Sequence, residues 1–180
     1  MQTESAVITV PGAEAFPWFV AHTRPRREKK VLAYCQREGI ATTLPCYRSI
    51  KKYRGKTVTF EKPLFPNYVF LRLDAPRRQK IYQSDHIAAL LEVTDQVTFV
   101  RQLGDILLAL ETEVEVFLAP QIIAGARVKV RSGPLRGLEG MVRERKGRTT
   151  VHLRLDFISQ SAAVVIDAED LELVEEAAAA

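Results

Sequence analysis

The apolar positions of this chain change period several times, and the changes mark its elements. Residues 61–73, Glu-Lys-Pro-Leu-Phe-Pro-Asn-Tyr-Val-Phe-Leu-Arg-Leu, break at two prolines and then alternate with period two. Tyr68, Phe70 and Arg72 fall on one face of that strand, and Val69, Leu71 and Leu73 fall on the other. The aliphatic face is predicted core. The two aromatics opposite need a covering element or a partner, because a sheet covered on one side only would show them to water. Residues 16–22 form a short aromatic and β-branched run suited to a first strand, with Trp18, Val20 and His22 on one side and Phe19 and Ala21 on the other.

Between these strands the period becomes helical. Residues 23–39 are predicted helix, with Pro25 near the first turn, Val31, Leu32 and Cys35 as a narrow apolar stripe, and Gly39 placed for a left-handed cap. Residues 47–62 alternate about Arg54-Gly55. A two-residue loop there gives a hairpin whose facing positions sum to 109, pairing Arg48 with Glu61, Ser49 with Phe60, Ile50 with Thr59 and Lys51 with Val58. Asp74 followed by Pro76 predicts a short capped helix. Residues 87–100 read as short strand-like pieces. Leu103, Ile106, Leu107, Leu110, Val114 and Phe117 recur at three and four and predict a helix, against a competing alternation at Glu111, Glu113 and Glu115.

That order of elements is α+β, a sheet with flanking helices over residues 16–117. Residues 118–126, with Pro120, are the expected linker. Beyond it the texture changes to short strands and glycine turns, predicting a small all-β barrel over residues 127–175. Val128 and Val130 point inward between Arg127, Lys129 and Arg131, and Ser132-Gly133-Pro134 turns the chain. Gly137 and Gly140 allow a tight bend and a close backbone approach. Lys146-Gly147 is the next expected hairpin. Val151, Leu153 and Leu155 alternate, as do Val164 and Ile166, and residues 171–174 close the module. A helical alternative is opposed by Gly133, Pro134, Gly137, Gly140 and Gly147, since each interior glycine costs ~1 kcal/mol and a proline ~3 kcal/mol. The first fifteen residues and residues 177–180 are expected to be disordered.

Composition sharpens this picture where charge is concerned. The chain has 180 residues, of which 47% are hydrophobic, enough for real cores, and a formal charge of +4. Residues 24–62 hold 12 Lys and Arg against 3 Asp and Glu, whereas residues 121–180 hold 9 of each. The local excess points to a polyanion partner for the first domain. Arg24, Arg26, Arg27, Lys29 and Lys30 crowd the start of the predicted helix, where the dipole disfavours cations. Phosphate binding accounts for that placement, because basic side chains and free helical N–H groups then converge on one anion.

Other classes are set aside. Cys35 and Cys46 read as reduced, buried thiols. The N-terminus lacks a basic start and a long apolar core, and no apolar run approaches the ~20 residues that cross a bilayer. A soluble, cytoplasmic monomer without membrane contact is expected. His22, His86 and His152 fit no metal or triad spacing, there is no C-x-x-C, and no glycine loop precedes a helix to cradle phosphate. No enzyme activity, catalytic residue, metal or cofactor is expected.

Residues 125–142, Gly-Ala-Arg-Val-Lys-Val-Arg-Ser-Gly-Pro-Leu-Arg-Gly-Leu-Glu-Gly-Met-Val, resemble the KOW motif. Joined to an upstream α+β domain, this resembles the NusG family of transcription elongation factors, over roughly residues 17–174. Arg54-Gly55-Lys56 and the later Pro-Leu-Phe-Pro-Asn-Tyr-Val-Phe resemble its specialised paralogues of the RfaH or UpxY type. An unspecialised NusG and an operon-specific paralogue both stay open. The resemblance implies a transcription antitermination factor that docks its first domain on RNA polymerase through an apolar, aromatic patch. The matching positions are Trp18, Tyr68, Phe70 and Leu90, with His22 beside them. It also implies contact of the first helix with the non-template DNA strand, which with the charge argument gives Arg24, Arg27 and Lys30. A second polymerase contact falls near residues 78–80. The barrel, with Gly133, Pro134, Gly137 and Gly140 in its turn, is implied to bind a small-subunit ribosomal protein or the termination factor Rho through Phe157 and Ile158. Gln160 stands where the family carries a basic residue. The alternative reading is a ribosome-associated or RNA-binding KOW assembly protein, whose barrel would be basic rather than neutral.

Overall fold

The computed structural model describes residues 5–120, 125–145 and 148–174. Packing divides them into two compact units that meet inside one helix, between Thr98 and Phe99. Among the described residues no helix is long and apolar enough to cross a membrane.

The first unit is built on a five-stranded antiparallel sheet. Its strands are β1 (Ala6–Ile8), β2 (Trp18–Thr23), β3 (Ala41–Leu44), β6 (Tyr68–Arg72) and β7 (Ile87–Glu92), in the spatial order β1-β3-β6-β2-β7. The two strands predicted from period-two alternation, β2 and β6, are its centre. Helices α1 (Glu28–Glu38) and α2 (Ala75–Gln83) supply Val31, Cys35 and Ile81 to a core with Phe19, Ala21, Val69, Leu71 and Leu73, so the aliphatic face is buried as expected. Gly39 ends α1 in the left-handed region, and Asp74 caps α2 by accepting from the Arg77 N–H at 3.0 Å. Both cysteines are free and buried, and burial pushes the Cys35 thiol up to about 11.

Strands β4 (Cys46–Tyr53) and β5 (Lys56–Pro63) form a two-stranded sheet of their own. The register is the expected one, Arg48 opposite Glu61 and Lys51 opposite Val58. Arg54 and Gly55 have φ of 48° and 79°, the paired left-handed conformation of a two-residue hairpin turn.

Three predictions for this unit change. The N-terminal segment is ordered from residue 5, because Ala6–Ile8 pair with β3; residues 1–4 lie outside the described residues. Helix α1 starts at Glu28, since Arg26 adopts φ 61° and residues 24–27 close a turn through Arg27 N–H to the Arg24 carbonyl. Pro25 and the first arginines therefore precede the helix. Finally, α3 spans Gln96–Glu111, starting where Asp95 accepts from the Thr98 N–H and ending before Val114 and Phe117. Glu111 is the last helical residue, Glu113 and Glu115 precede the strand that starts at Val116, and neither the helical spacing nor the glutamate alternation gives that boundary.

The second unit contains the rest of α3 and a six-stranded antiparallel sheet. Its strands are β8 (Val116–Pro120), β9 (Ala126–Val130), β10 (Glu139–Arg145), β11 (Arg148–Leu155), β12 (Gln160–Val165) and β13 (Leu171–Leu173), in the order β13-β9-β10-β11-β12-β8. Strand β8 takes up residues 118–120 of the expected linker by pairing with β12; residues 121–124 lie outside the described residues. The continuous run Val-Phe-Leu-Ala gives no alternation from which a strand could be told. Val128, Val130, Val151, Leu153, Leu155 and Val164 are buried, as alternation predicted. Gly137 turns the chain at φ 94°. At Gly140 a Cβ would lie 2.6 Å from Val151 Cγ1 and 2.7 Å from the His152 carbonyl oxygen, so only glycine lets β10 and β11 approach. Lys146-Gly147, the other predicted turn, and residues 175–180 lie outside the described residues.

Candidate functional site

In an antiparallel ladder, directly paired residues share a face. Tyr68 pairs with His22, Phe70 with Val20 and Arg72 with Trp18, so these six side chains lie together on the face of the sheet away from α1 and α2. Trp18 and Tyr68 are half-buried. The Arg72 guanidinium lies 4.7 Å from the centroid of the Trp18 ring, and the same side chain donates to the Glu14 carbonyl at 2.6 Å. The His22 and Tyr68 rings stand 5.3 Å apart. Gln96 fixes the Trp18 backbone from both sides, accepting from its N–H at 2.8 Å and donating to its carbonyl at 3.0 Å.

Two of the four predicted docking residues are placed otherwise. Phe70 is fully buried, with Phe65 edge-on to it at 6.2 Å, so it supports the face without being offered by it. Alternation gave its side of the strand correctly, but alternation has no information on what covers a face. Leu90 pairs with Ala21 and packs against the helical core, on the opposite face from Trp18 and Tyr68. The neighbouring Leu91 pairs with Val20 and is 41% exposed, which puts it on the aromatic face. Finding Leu91 from the sequence needed the β2–β7 register, which no turn motif fixes. The accessible patch is therefore Trp18, His22, Tyr68 and Leu91.

The basic cluster is likewise rearranged. Arg24 and Lys30 are exposed and Arg27 is half-buried at the N-cap of α1. Arg24 pairs with Asp85 at 2.8 Å, both side chains largely solvated, so the pair is weak. The first turn of α1 carries the buried carboxylate of Glu28, which accepts from the Asn67 N–H at 2.7 Å. That acid occupies the positive end of the helix dipole, so convergence of helical N–H groups on a phosphate is disfavoured there. What remains for a polyanion is the set of basic side chains alone.

In the second unit, Phe157 and Ile158 lie in a 3-10 turn after β11. Ile158 is buried, and the half-buried Phe157 meets Phe99 of α3 edge-on at 6.1 Å. Gln102 of α3 fixes the same turn, donating to Asp156 Oδ2 at 2.7 Å and accepting from the Asp156 N–H at 2.9 Å. Gly133, Pro134 and Gly137 form the β9–β10 turn, closed by the Gly137 N–H on the Val130 carbonyl at 2.8 Å. His152 is buried between Thr150 and Ser161, and burial, then Arg143, lowers its pKa from the ordinary value. Among the described residues no cluster of His, Cys, Asp and Glu could hold a metal ion.

Comparison with curated proteins gave no match. Against protein families, residues 16–117 match the family described as Transcription termination factor nusG. That stretch carries β2, α1, the hairpin, β6 and the aromatic patch, and it covers more than half of the sequence. The chain belongs to the NusG family.

Proposed function

We propose that this transcription factor holds RNA polymerase through the exposed face of its first sheet and thereby suppresses pausing and termination. The observation that carries the reading is the half-buried group Trp18, His22 and Tyr68, in which Gln96 and Arg72 hold Trp18 and the His22 and Tyr68 rings meet each other. Aromatic anchors of this kind dominate protein interfaces. Buried Phe70 backs them, and Leu91 extends the patch. Bridging the two sides of the polymerase cleft would stabilise its closed state, with residues 78–80 as the second contact. Arg24 and Lys30 would meet the non-template strand as solvated side-chain charges, with half-buried Arg27 beside them.

The second unit is proposed to be a KOW barrel that recruits a ribosomal small-subunit protein or Rho at the turn of Phe157 and Ile158, where half-buried Phe157 is the accessible ring and buried Ile158 backs it. In support, four of its cations are matched by acids: Arg127 and Lys129 with Glu139, Arg148 with Glu115, and Arg154 with Asp156. Such pairing suits a protein partner better than RNA, which favours the polymerase factor over a ribosome-associated assembly protein. Affinity capture of polymerase by Trp18→Ala/Tyr68→Ala tests the docking face. Each anchor is worth ~2 kcal/mol, so capture is expected to be lost while the thermal transition persists. Undiminished capture by the folded variant rejects this face as the docking surface.

A further inference from the structure

The β4–β5 hairpin is not used by the docking face, and its two sides differ in chemistry. Pairing puts Tyr47 with Lys62, Ser49 with Phe60, Lys51 with Val58 and Tyr53 with Lys56 on one side. The other side carries Arg48 with Glu61, Ile50 with Thr59 and Lys52 with Thr57. The first side thus interleaves three aromatics with three lysines and has no acid. Glu61, the one acidic residue between Cys46 and Pro63, is on the second side, opposite Arg48.

Tyr47, Ser49 and Lys62 near the base are half-buried, and the rest of this side is open. Tyr53 is 66% and Phe60 46% exposed, and every residue from Ile50 to Glu61 is exposed. Among the described residues, no ion pair is made by Lys51, Lys56 or Lys62. The base is anchored by buried Cys46, by the Leu64 N–H on the Pro45 carbonyl at 2.8 Å, and by Lys29 Nζ on the Glu61 carbonyl at 3.2 Å. The exposed aromatics therefore do not serve a core. The Arg54 guanidinium already lies 5.5 Å from the Tyr53 ring centroid, so the tip holds a cation against a π face.

We propose that this side of the hairpin is a second nucleic-acid site, one that takes an unpaired strand. Bases stack on Tyr53 and Phe60, while Lys51 between them, Lys56 opposite Tyr53 and Lys62 beyond Phe60 neutralise the phosphates. Same-side residues repeat about every 7 Å along a strand, so aromatic and cationic positions alternate on the scale of successive nucleotides. A duplex offers phosphates to the lysines but keeps its base faces stacked inside, leaving the aromatics unused. Stacking on aromatics tolerates any base, so binding is expected to be sequence-tolerant and salt-sensitive. The site is separate from Arg24, Arg27 and Lys30 and does not depend on their role.

The test uses the full chain with a labelled oligothymidine, an oligouridine and a DNA duplex, all of one length, read by anisotropy. Tyr53→Ala/Phe60→Ala is expected to weaken both single strands by roughly 30-fold or more and to leave the duplex nearly unchanged. Ile50→Ala, on the other side, is expected to change none of them. Preference between oligouridine and oligothymidine then names a transcript or an opened DNA strand as the source, and either supports the site. Photocrosslinks from bromouridine are expected at Tyr53 or Phe60, and also in an Arg24→Gln/Lys30→Gln background. Unchanged single-strand affinity in the aromatic variant, equal loss on duplex and single strand, or crosslinks confined to residues 24–30 would each overturn the proposal.

Discussion

The β4–β5 hairpin and the C-terminal sheet both alternate apolar and polar residues, yet they use the pattern in opposite ways. In the hairpin, Ile50 is 68% and Val58 38% exposed, and the lysines of its aromatic side make no ion pair among the described residues. In the C-terminal sheet, Val151 and Leu155 are fully buried and several of the arginines are paired with acids across or along strands. The difference lies in what stands behind each ladder. A two-stranded ribbon has no second layer and cannot bury a face, whereas residues of the six-stranded sheet share a core. Alternation therefore reports which residues share a side, and only the layer behind decides whether that side is core or contact surface.

The strongest way to test this contrast is to truncate equivalent alternating positions. Phe70→Ala, in the covered centre of the first sheet, is expected to cost about 3–5 kcal/mol, because it removes a fully buried ring and leaves a cavity against Phe65. Ile50→Ala on the hairpin is expected to stay within about 0.5 kcal/mol. Trp18 is the single tryptophan, so urea titration followed by its fluorescence reports on this unit. Comparable losses at the two positions would mean that the hairpin side is covered in solution.

A smaller effect is expected in the C-terminal sheet. Gly140→Ala forces a methyl group against the His152 carbonyl, which cannot swing aside as a side chain could, and is expected to destabilise that unit by about 1–3 kcal/mol. Amide exchange across β10 and β11 should quicken while Trp18 fluorescence keeps its urea midpoint. Unaltered exchange would show that the two strands need no close approach.

The smallest effect is a pH dependence confined to the second unit. His152 has its pKa lowered in the folded protein by burial and by Arg143, so the unfolded chain binds the proton more readily. Its contribution to stability is fully present above the unfolded value near 6.5 and declines as pH falls below it toward the lower folded value. Asp105, raised by burial, acts in the opposite sense at more acidic pH, so the interval just below neutrality isolates the histidine. Amide-exchange stability of β11 should fall from about pH 7.5 to about pH 5.5 in the parent chain and less in His152→Asn. Identical slopes would exclude this histidine as the cause.

Much of the molecule follows from local rules that the sequence states directly. The hairpin register, the Gly39 and Asp74 caps, the inward valines of β9 and the close approach at Gly140 each depend on a few neighbouring residues whose geometry leaves little choice. The strand of residues 68–72 and the family resemblance rest on equally local patterns. Tertiary structure alone decided the rest. Phe70 is buried because Phe65 and the surrounding sheet reach it from outside its own strand. Leu91, and not Leu90, joins the aromatic face because a long-range register pairs it with Val20. Strands β1 and β8 exist because β3 and β12 offer edges to them. In each case the deciding energy comes from contacts between residues far apart in the chain, which alternation and capping signals do not encode.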